Sequence, residues 1–525
     1  MQIVDNAALR LSVSPSVIDE VKAVVERSDV TNEGDLLVYW DYAEAATLAY
    51  VLDMYQPHPE IPDVPSPILR DYKWPGILKP FDHQKVTASY LSLRTRAFCF
   101  NEAGTGKTSA AIWAADYLMN LGLIQRVLVV CPLSIMYSAW EADIHKTALH
   151  RAVSVAYGDR NRRAKLIESG SEFVIINYDG VPVVSDIIKK ADFDLIIIDE
   201  ANGYKNVSTT RWKTLAKLLN SRTRLWMMTG TPASQGPEDA YGLARLISPH
   251  RVPSTKTAWK EAVMLQLGKY KWIPRRDAKD RVFAALQPAI RFAKRECLDL
   301  PDIVYQTREI PLTPQVVAYY RKLKTQLMIE AAGEEISAVN AAANMNKLLQ
   351  ISGGAVYTDA KEVVEFDISP RLRALKEVLD ETSNKVLVFV PYLHTIELIS
   401  EFLTREGVSN EVICGEVSAH NRTAIINRFQ TQTDPRVLVV QPQSAAHGIT
   451  LTAADTLVFW SPVMSVETYL QCIGRIDRVG QQNKMTVVHL QGSDIEKRVY
   501  KMLQGKVDNH QKLVDLYKQE LEDEQ

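Results

Sequence analysis

The feature that most constrains this chain is a rhythm that occurs twice. Short β-branched runs alternate with helix-length amphipathic segments in two separate regions. A parallel sheet requires that alternation, because each parallel strand is reached by a crossover. In the first region the runs are AFCF from Ala97, VLVV from Val127, FVII from Phe173, LIII from Leu195 and LWMM from Leu225. In the second they are VLVFV from Val386, EVIC from Glu411, VLVV from Val437, TLVFW from Thr456 and TVVHL from Thr486. Near-continuous Val/Ile/Leu runs suit strands buried on both faces, and their four or five residues are short for buried helices. The fold class expected is therefore α/β, with two parallel-sheet lobes.

Between these regions, roughly residues 240 to 380, the pattern turns helical, as in YYRKLKTQLMIEAA and AVNAAANMNKLLQ. The first 75 or so residues differ again. ALRLSV reads as a strand, and SPSVIDEVKAVVER as a helix behind a Ser N-cap with Pro15 in its first turn. DLLVYW reads as a second strand and AEAATLAYVLDMY as a second helix. QPHPEIPDVPSP follows, with proline at 57, 59, 62, 65 and 67, the composition of a stiff linker. The organisation expected is a small α+β module at 1–56, a Pro-rich linker at 57–76 and a first lobe at 77–250. Helical insertions and an interlobe connection follow at 251–370, a second lobe at 371–505, and a C-terminal helix or acidic tail at 506–525. A length of 525 residues fits that count at about 150 residues per domain.

Charge narrows the partners. Lys plus Arg is 61 and Asp plus Glu is 63, a net of −2. That balance excludes a polybasic binder and an acidic disordered chain, but a local basic groove can sit on a neutral whole. The five cysteines, Cys99, Cys131, Cys297, Cys414 and Cys472, have no metal-ligand spacing and read as reduced, as in a cytosolic-type compartment. MQIVDNAALRLSV has no charged segment followed by an apolar block, and runs such as VLVVCPL fall far below the roughly 18 residues of a membrane span. No membrane partner is expected, and the expected location is cytoplasmic, on the nucleoid or in a host cell if the source is viral. The ten histidines show no HExxH or paired-ligand spacing, so no protein metal site is expected beyond Mg²⁺ with a nucleotide.

Residues 101 to 108 read NEAGTGKT, directly after AFCF and directly before a helix-forming segment. A phosphate loop needs that context of strand, Gly-rich turn and helix N-terminus. Gly104 and Gly106 let backbone N–H groups around Thr105 face phosphate oxygens. Lys107 can neutralise β/γ-phosphate charge, and Thr108 can offer a hydroxyl to Mg²⁺. The strict pattern has Gly where this chain has Asn101.

LIIIDE ends in Asp199 and Glu200 at the C-terminal end of a buried run, where open α/β sheets bind ligands. Asp199 suits Mg²⁺ positioning and Glu200 suits polarising an attacking water. An isolated Asp-Glu pair reads better as a solvated strand end; the preceding phosphate loop favours the functional reading. In the second region, Gln471, Arg475 and Arg478 are spaced by four and three, which on an α-helix puts them on one face. They could stabilise transition-state charge on a γ-phosphate, completing a shared site; a solvated charged stripe is the competing reading.

These residues resemble those of superfamily-two helicase-type ATPases, and more narrowly of Swi/Snf-like double-stranded-DNA translocases in a compact form without large insertions. The likeness spans roughly residues 77 to 505. LKPFDHQ resembles the adenine-reading glutamine motif and assigns that role to Gln84. NEAGTGKT resembles the D-E-x-G-x-G-K-T loop, which accommodates Asn101. VLVVCPLSIMYSAWEADIHK resembles motif Ia, with Pro132, Ser134 and Trp140 in register. IIIDEANGYKN resembles motif II, a DEAH-like box, and LWMMTGTPAS resembles motif III at Thr229, Gly230 and Thr231. RFAKRECLDLPDIVYQTREIPLTPQVVAYY resembles the segment that joins the lobes in Swi/Snf-like proteins. HGITLTAADTLVFW and QCIGRIDRVGQ resemble motifs V and VI.

The resemblance implies two RecA-like lobes, ATP and Mg²⁺ as cofactors, and DNA-stimulated ATP hydrolysis that drives movement along duplex or branched DNA. It implies Gly448 at the nucleotide, and Pro132, Ser134, Thr231, Ser444 and Thr450 at the nucleic acid. Three departures bear on it. Asn202 replaces the usual His of motif II, Ala445 and Ala446 replace a Gly pair in motif V, and Met464 and Ser465 stand near the usual W-N-P turn. The first 75 residues resemble, weakly, the HARP-type module of annealing helicases and offer a site for DNA or a protein partner. Lys271, Arg275, Arg276, Lys279, Arg281, Arg291, Lys294 and Arg295, set against Asp277 and Asp280, make a candidate DNA-side segment. A solvated basic helix reads those charges equally well. A strand-separating helicase, a motor subunit serving a nuclease and a non-hydrolysing ATP switch remain as alternatives.

Overall fold

The computed structural model describes residues 1–54, 63–230, 232–233, 236–268, 272–331, 338–357, 363–445 and 449–505. The chain divides into two units, Met1–Leu298 and Asp299–Gln525.

The first unit opens with four short strands, β1 (Gln2–Val4), β2 (Ala8–Leu11), β3 (Ser28–Val30) and β4 (Leu36–Tyr39). They pair antiparallel in the order β1-β2-β4-β3. Alternate residues Leu9, Leu11, Leu36 and Val38 are buried against the helices Pro15–Lys22 and Tyr42–Asp53, so one sheet face is packed. Ser14 is the N-cap of the first helix with Pro15 behind it, and Asp41 caps the second by accepting from Glu44 N at 3.0 Å. The two strands expected here are present, with β1 and β3 added at the edges.

The expected linker at 57–76 is corrected in its second half; residues 55–62 lie outside the described part. Val64, Ser66 and Ile68 are buried, Trp40 Nε1 donates to Pro65 O at 2.7 Å, and Ser66 N donates to Ser89 Oγ at 2.7 Å. Proline content reported stiffness there, but the apolar residues between the prolines bind the segment to its neighbours.

A seven-stranded sheet follows. Its strands are β5 (Arg96–Cys99), β6 (Val127–Cys131), β7 (Val153–Val155), β8 (Phe173–Asn177), β9 (Leu195–Asp199) and β10 (Arg224–Met228). Beyond a hairpin of β11 (Met264–Gln266) and β12 (Trp272–Pro274) comes β13 (Ala289–Ile290). The order is β13-β5-β10-β9-β6-β8-β7, with every pairing parallel. Successive residues face opposite cores: Cys99, Val129, Ile197 and Trp226 enter one, and Phe98, Leu128, Ile196 and Met227 the other. Burial on both faces is the reason these runs carry no polar alternation.

In the second unit, β14 (Ile303–Glu309) precedes two helices, Pro314–Ala331 and Ala338–Gly353, and a hairpin of β15 (Ala355–Tyr357) and β16 (Val363–Glu365). The helix Ser369–Glu381 leads to β17 (Lys385–Phe389), β18 (Asn410–Ile413), β19 (Val437–Val440), β20 (Ala454–Phe459) and β21 (Met485–Gln491). This sheet is also parallel throughout, in the order β14-β21-β20-β17-β19-β18. Arg371 and Glu496, both fully enclosed, form a buried pair in which Arg371 Nη2 donates to both carboxylate oxygens at 2.9 Å.

The segment expected as helical insertions at 251–370 is corrected. Its first part belongs to the first unit, where β13 extends the sheet beside β5; β14 extends the second sheet beside β21. The expected tail at 506–525 lies outside the described residues. Among the described residues no helix is long and apolar enough to cross a membrane.

Candidate active site

Strands β5, β10 and β9 are neighbours and parallel, so their carboxyl ends open together. The loop after β5 carries 101–106, the one after β10 carries Thr229 and Gly230, and the one after β9 carries Glu200.

In the first loop Gly104 and Gly106 have φ of 89° and 78°, the left-handed region that favours glycine. Gly106 is the N-cap of the helix Lys107–Asn120, so the loop delivers its N–H groups at a positive helix end. Gln84 is folded onto this loop. Its Nε2 donates to Thr105 O at 3.1 Å, and its Oε1 accepts from Phe81 N at 3.0 Å. A Cβ on Gly106 would stand 2.0 Å from that Nε2. His83 Nε2 lies 2.8 Å from the same carbonyl, a contact the sequence did not single out. Lys107 Nζ donates to Asn101 O at 3.0 Å, and Thr108 follows it in the first helical turn. Asn101 is buried; its Nδ2 donates to Thr87 Oγ1 at 2.8 Å and its Oδ1 accepts from Phe292 N at 2.9 Å. The residue that departs from the strict loop pattern thus ties the loop to the chain after β13.

Asp199 ends β9 and is buried. Its Oδ2 accepts from Trp140 Nε1 at 2.9 Å and its Oδ1 from Glu200 N at 3.0 Å. Burial first, then the charge of Glu200, pushes the carboxyl up to about 6, while Lys107 and the Trp140 bond act in the opposite direction. The loop lysine and the acidic pair therefore share one electrostatic environment. Glu200 has φ of 50°, a left-handed backbone in a residue with a Cβ. The Tyr178 hydroxyl holds that bend: it donates to Glu200 O at 2.9 Å and to the carbonyl of Asp199. Trp140 reaches Asp199 from a wide π-helical turn, Met136–Glu141.

Sequence reasoning placed Trp140 only as a member of a motif and missed Tyr178. A buried tryptophan needs an acceptor for its N–H, but nothing in the sequence says which one.

Of the remaining candidates in the first unit, Pro132 is buried and Ser134 half-buried, with the Ser134 carbonyl accepting from Ser138 Oγ at 3.0 Å. Thr229 is buried and its N–H donates to Cys99 O at 3.0 Å; Thr231 lies outside the described residues. In the basic segment Arg275, Arg276, Lys279, Arg281, Arg291 and Arg295 are exposed, Lys294 is buried, and Lys271 lies outside the described residues. Arg281 is paired with Asp277 at 2.7 Å.

In the second unit the expectation of one helical face is corrected. The helix Val466–Ile473 ends at Gly474, so Gln471 is helical while Arg475 and Arg478 lie in the turns beyond. The arginines still converge, each donating from Nη1 to Ile449 O at 3.0 Å. Arg475 is buried and also donates from Nε to Gln471 O at 2.7 Å, whereas Arg478 is half-buried. Leu451 N donates to Arg475 O at 3.0 Å. Motifs V and VI are thereby locked together. Ser444 is buried and Thr450 half-buried; Gly448 lies outside the described residues.

The SNF2-related domain family matches residues 83–355, more than half of the chain, and the helicase conserved C-terminal domain matches residues 370–480. The chain belongs to the SNF2-related family. This SNF2-related ATPase is similar to mouse chromodomain-helicase-DNA-binding protein 1-like, 25% identical over 436 residues, which cover 78% of this chain and 46% of that protein. It is also similar to putative protein p41 of Acyrthosiphon pisum secondary endosymbiont phage 1, 25% identical over 433 residues, covering 78% of this chain and 92% of that one. The match thus spans less than half of the mouse protein and nearly all of the phage protein. Among solved structures, a Sulfolobus solfataricus SWI2/SNF2 ATPase core in complex with dsDNA aligns with a TM-score of 0.41 and 21% identity, covering 82% of this chain and 92% of that one.

Proposed function

We propose that this SNF2-related ATPase is a motor in which DNA-stimulated ATP hydrolysis drives movement along double-stranded or branched DNA, of the remodelling, branch-migration or annealing type. The observation that carries the reading is the family match across 83–355, which contains the phosphate loop and the acidic pair at the carboxyl ends of β5 and β9, the two strands that flank β10. The DNA-binding and helicase terms in the mouse relative's name support the choice of track. The phage relative supports a place of action in a bacterial or host cytoplasm.

The chain's own residues suggest the following roles. Backbone N–H groups of 104–106, at a helix N-terminus, receive the phosphates. Lys107 exchanges the Asn101 carbonyl for phosphate oxygen. Gln84 lies on the loop, within reach of a base held beside it. Asp199 and Thr108 would hold Mg²⁺: a carboxylate and a hydroxyl are the hard oxygen donors that ion takes, and a carboxyl raised by burial gains from a nearby cation. When bound, the ion screens charge on the phosphates. Glu200, held in its bend by Tyr178, orients the attacking water and takes its proton. Arg478 and Gln471 are proposed to stabilise charge developing on the γ-phosphate. Arg475, buried on two carbonyls, is proposed to position them.

DNA-stimulated ATPase assays test this reading. Lys107→Ala and Glu200→Gln are each expected to remove turnover, and unchanged turnover in both would overturn the site. Arg478→Ala should keep ATP binding and lose turnover. Arg475→Ala should in addition lower the melting temperature.

A further inference from the structure

A cavity lies in the first unit, at the end of the sheet away from the phosphate loop. It has a volume of about 930 Å³ and is bounded by the helix Tyr42–Asp53 of the N-terminal module and by the amino ends of β5 and β10. Arg96 and Arg224 begin those two adjacent strands, and Arg251 approaches from the loop after the helix Ala240–Ile247.

The charge balance of this cavity is one-sided. Its one lining acid, Asp53, is engaged by Arg94, whose Nε and Nη2 donate to the carboxylate at 2.9 and 2.7 Å. Arg96 instead donates to two backbone carbonyls, Leu246 O at 3.0 Å and Asn220 O at 3.1 Å. Arg224 donates from Nη2 to the Tyr42 hydroxyl at 3.2 Å, and its Nη1 is buried with no hydrogen-bond partner. Arg251 Nη2 donates to Asp53 O at 2.7 Å. Carbonyls and a hydroxyl orient Arg96 and Arg224 without neutralising them, and among the described residues no carboxylate is ion-paired with either; Arg251 feels the charge of Asp53. Burial lowers the pKa of Arg96, with no acid acting against it.

The walls have the opposite character. Tyr50, Met54, Leu93, Ile247 and Pro288 line them. The volume is that of a small-molecule site and far exceeds a single phosphate. Oriented guanidinium groups favour phosphate oxygens, and tyrosine and aliphatic walls favour a flat or apolar body.

We propose that this cavity is a second nucleotide site, separate from the hydrolytic one, that takes a nucleoside phosphate with its phosphates on Arg96, Arg224 and Arg251 and its base along Tyr50 and Met54. The same chemistry is offered by a free nucleotide and by the terminal nucleotide of a DNA strand. A ligand here would bridge the N-terminal module and the sheet that carries the phosphate loop.

The test is isothermal titration of the full chain carrying Lys107→Ala, which silences the hydrolytic site, with ADP, sodium pyrophosphate and a 5′-phosphorylated oligothymidylate. One saturable ADP site per chain is expected, with pyrophosphate binding at least tenfold more weakly because it lacks the base. Adding Arg224→Gln, or Thr47→Trp to fill the cavity, should weaken ADP at least tenfold. Tyr50→Ala, at an exposed position that leaves folding intact, should weaken ADP but not pyrophosphate. In chains that keep Lys107, these three substitutions should leave ATPase activity without DNA unchanged, which separates this site from the hydrolytic one. Tight binding of the 5′-phosphorylated strand, lost in its 5′-hydroxyl form, would identify a strand end as the ligand, and binding of ADP alone a free nucleotide. No saturable ADP binding, equal affinity in all three variants, or pyrophosphate binding as tightly as ADP would each overturn the proposal.

Discussion

At Asp199 a carboxyl group is buried between two N–H donors, one from an indole and one from the backbone. A hydrogen bond to a charged group contributes about 1.5–3 kcal/mol, and every 1.4 kcal/mol or so is tenfold in rate. Trp140→Phe keeps most of the packing and removes the donor. Turnover should fall on the order of tenfold while ATP still binds; a steady-state assay beside a nucleotide titration checks this, and unchanged turnover would reduce Trp140 to packing. Gly106 offers a second test at this scale. An alanine there meets Gln84 Nε2 and a left-handed φ together. Gly106→Ala should weaken ATP at least tenfold, whereas Gly122→Ala, also at positive φ but with nothing within 4 Å of its added Cβ, should not. The places of Lys107 at a helix start and of Asp199 and Glu200 at the end of a strand were legible in the sequence, because short local patterns set them there. Trp140 was not legible as a partner of Asp199: the two are 59 positions apart, and only the fold of β6 beside β9 brings them together.

At the scale of elements, strands buried on both faces announced themselves, as did the edge strand β18 through EVIC, whereas the edge strands β13 and β14 did not. β13 has two residues, and β14 alternates between half-buried and exposed positions, so neither forms an apolar run. The same cause moved the boundary of the first unit to Leu298. The helix carrying Gln471 stops at Gly474, where continuing the 3.6-residue period would have placed both arginines on one face. β21 also carries a testable titration. His489 is enclosed by Phe459, Tyr469 and Tyr500, and burial pushes its pKa down to about 4 from an ordinary 6.5. The unfolded chain gains this proton as pH falls below about 6.5, but the folded one gains it only near 4. The stability held above 6.5 is therefore lost as pH drops through that window. His489→Phe should flatten the fall in melting temperature of the full chain between pH 7 and 5. An unchanged slope would show that other groups set the acid sensitivity.

At the scale of the whole molecule, a net charge of −2 is compatible with a motor that binds and releases a polyanionic track. Six basic residues between Arg275 and Arg295 of the first unit are exposed, Arg281 among them paired with Asp277, and they are proposed to meet the DNA. Contacts of this kind go to phosphate and release counterions, so DNA stimulation should fall steeply as salt rises and depend little on sequence. The central claim is that duplex or branched DNA is the track. Its most direct test is the ATPase rate of the full chain with duplex, branched and single-stranded DNA and with RNA, side by side at one salt concentration. Duplex or branched DNA should stimulate turnover well above the other polymers, and Glu200→Gln should abolish that stimulation. Equal rates with all four, or the highest rate with RNA, would contradict a double-stranded-DNA motor.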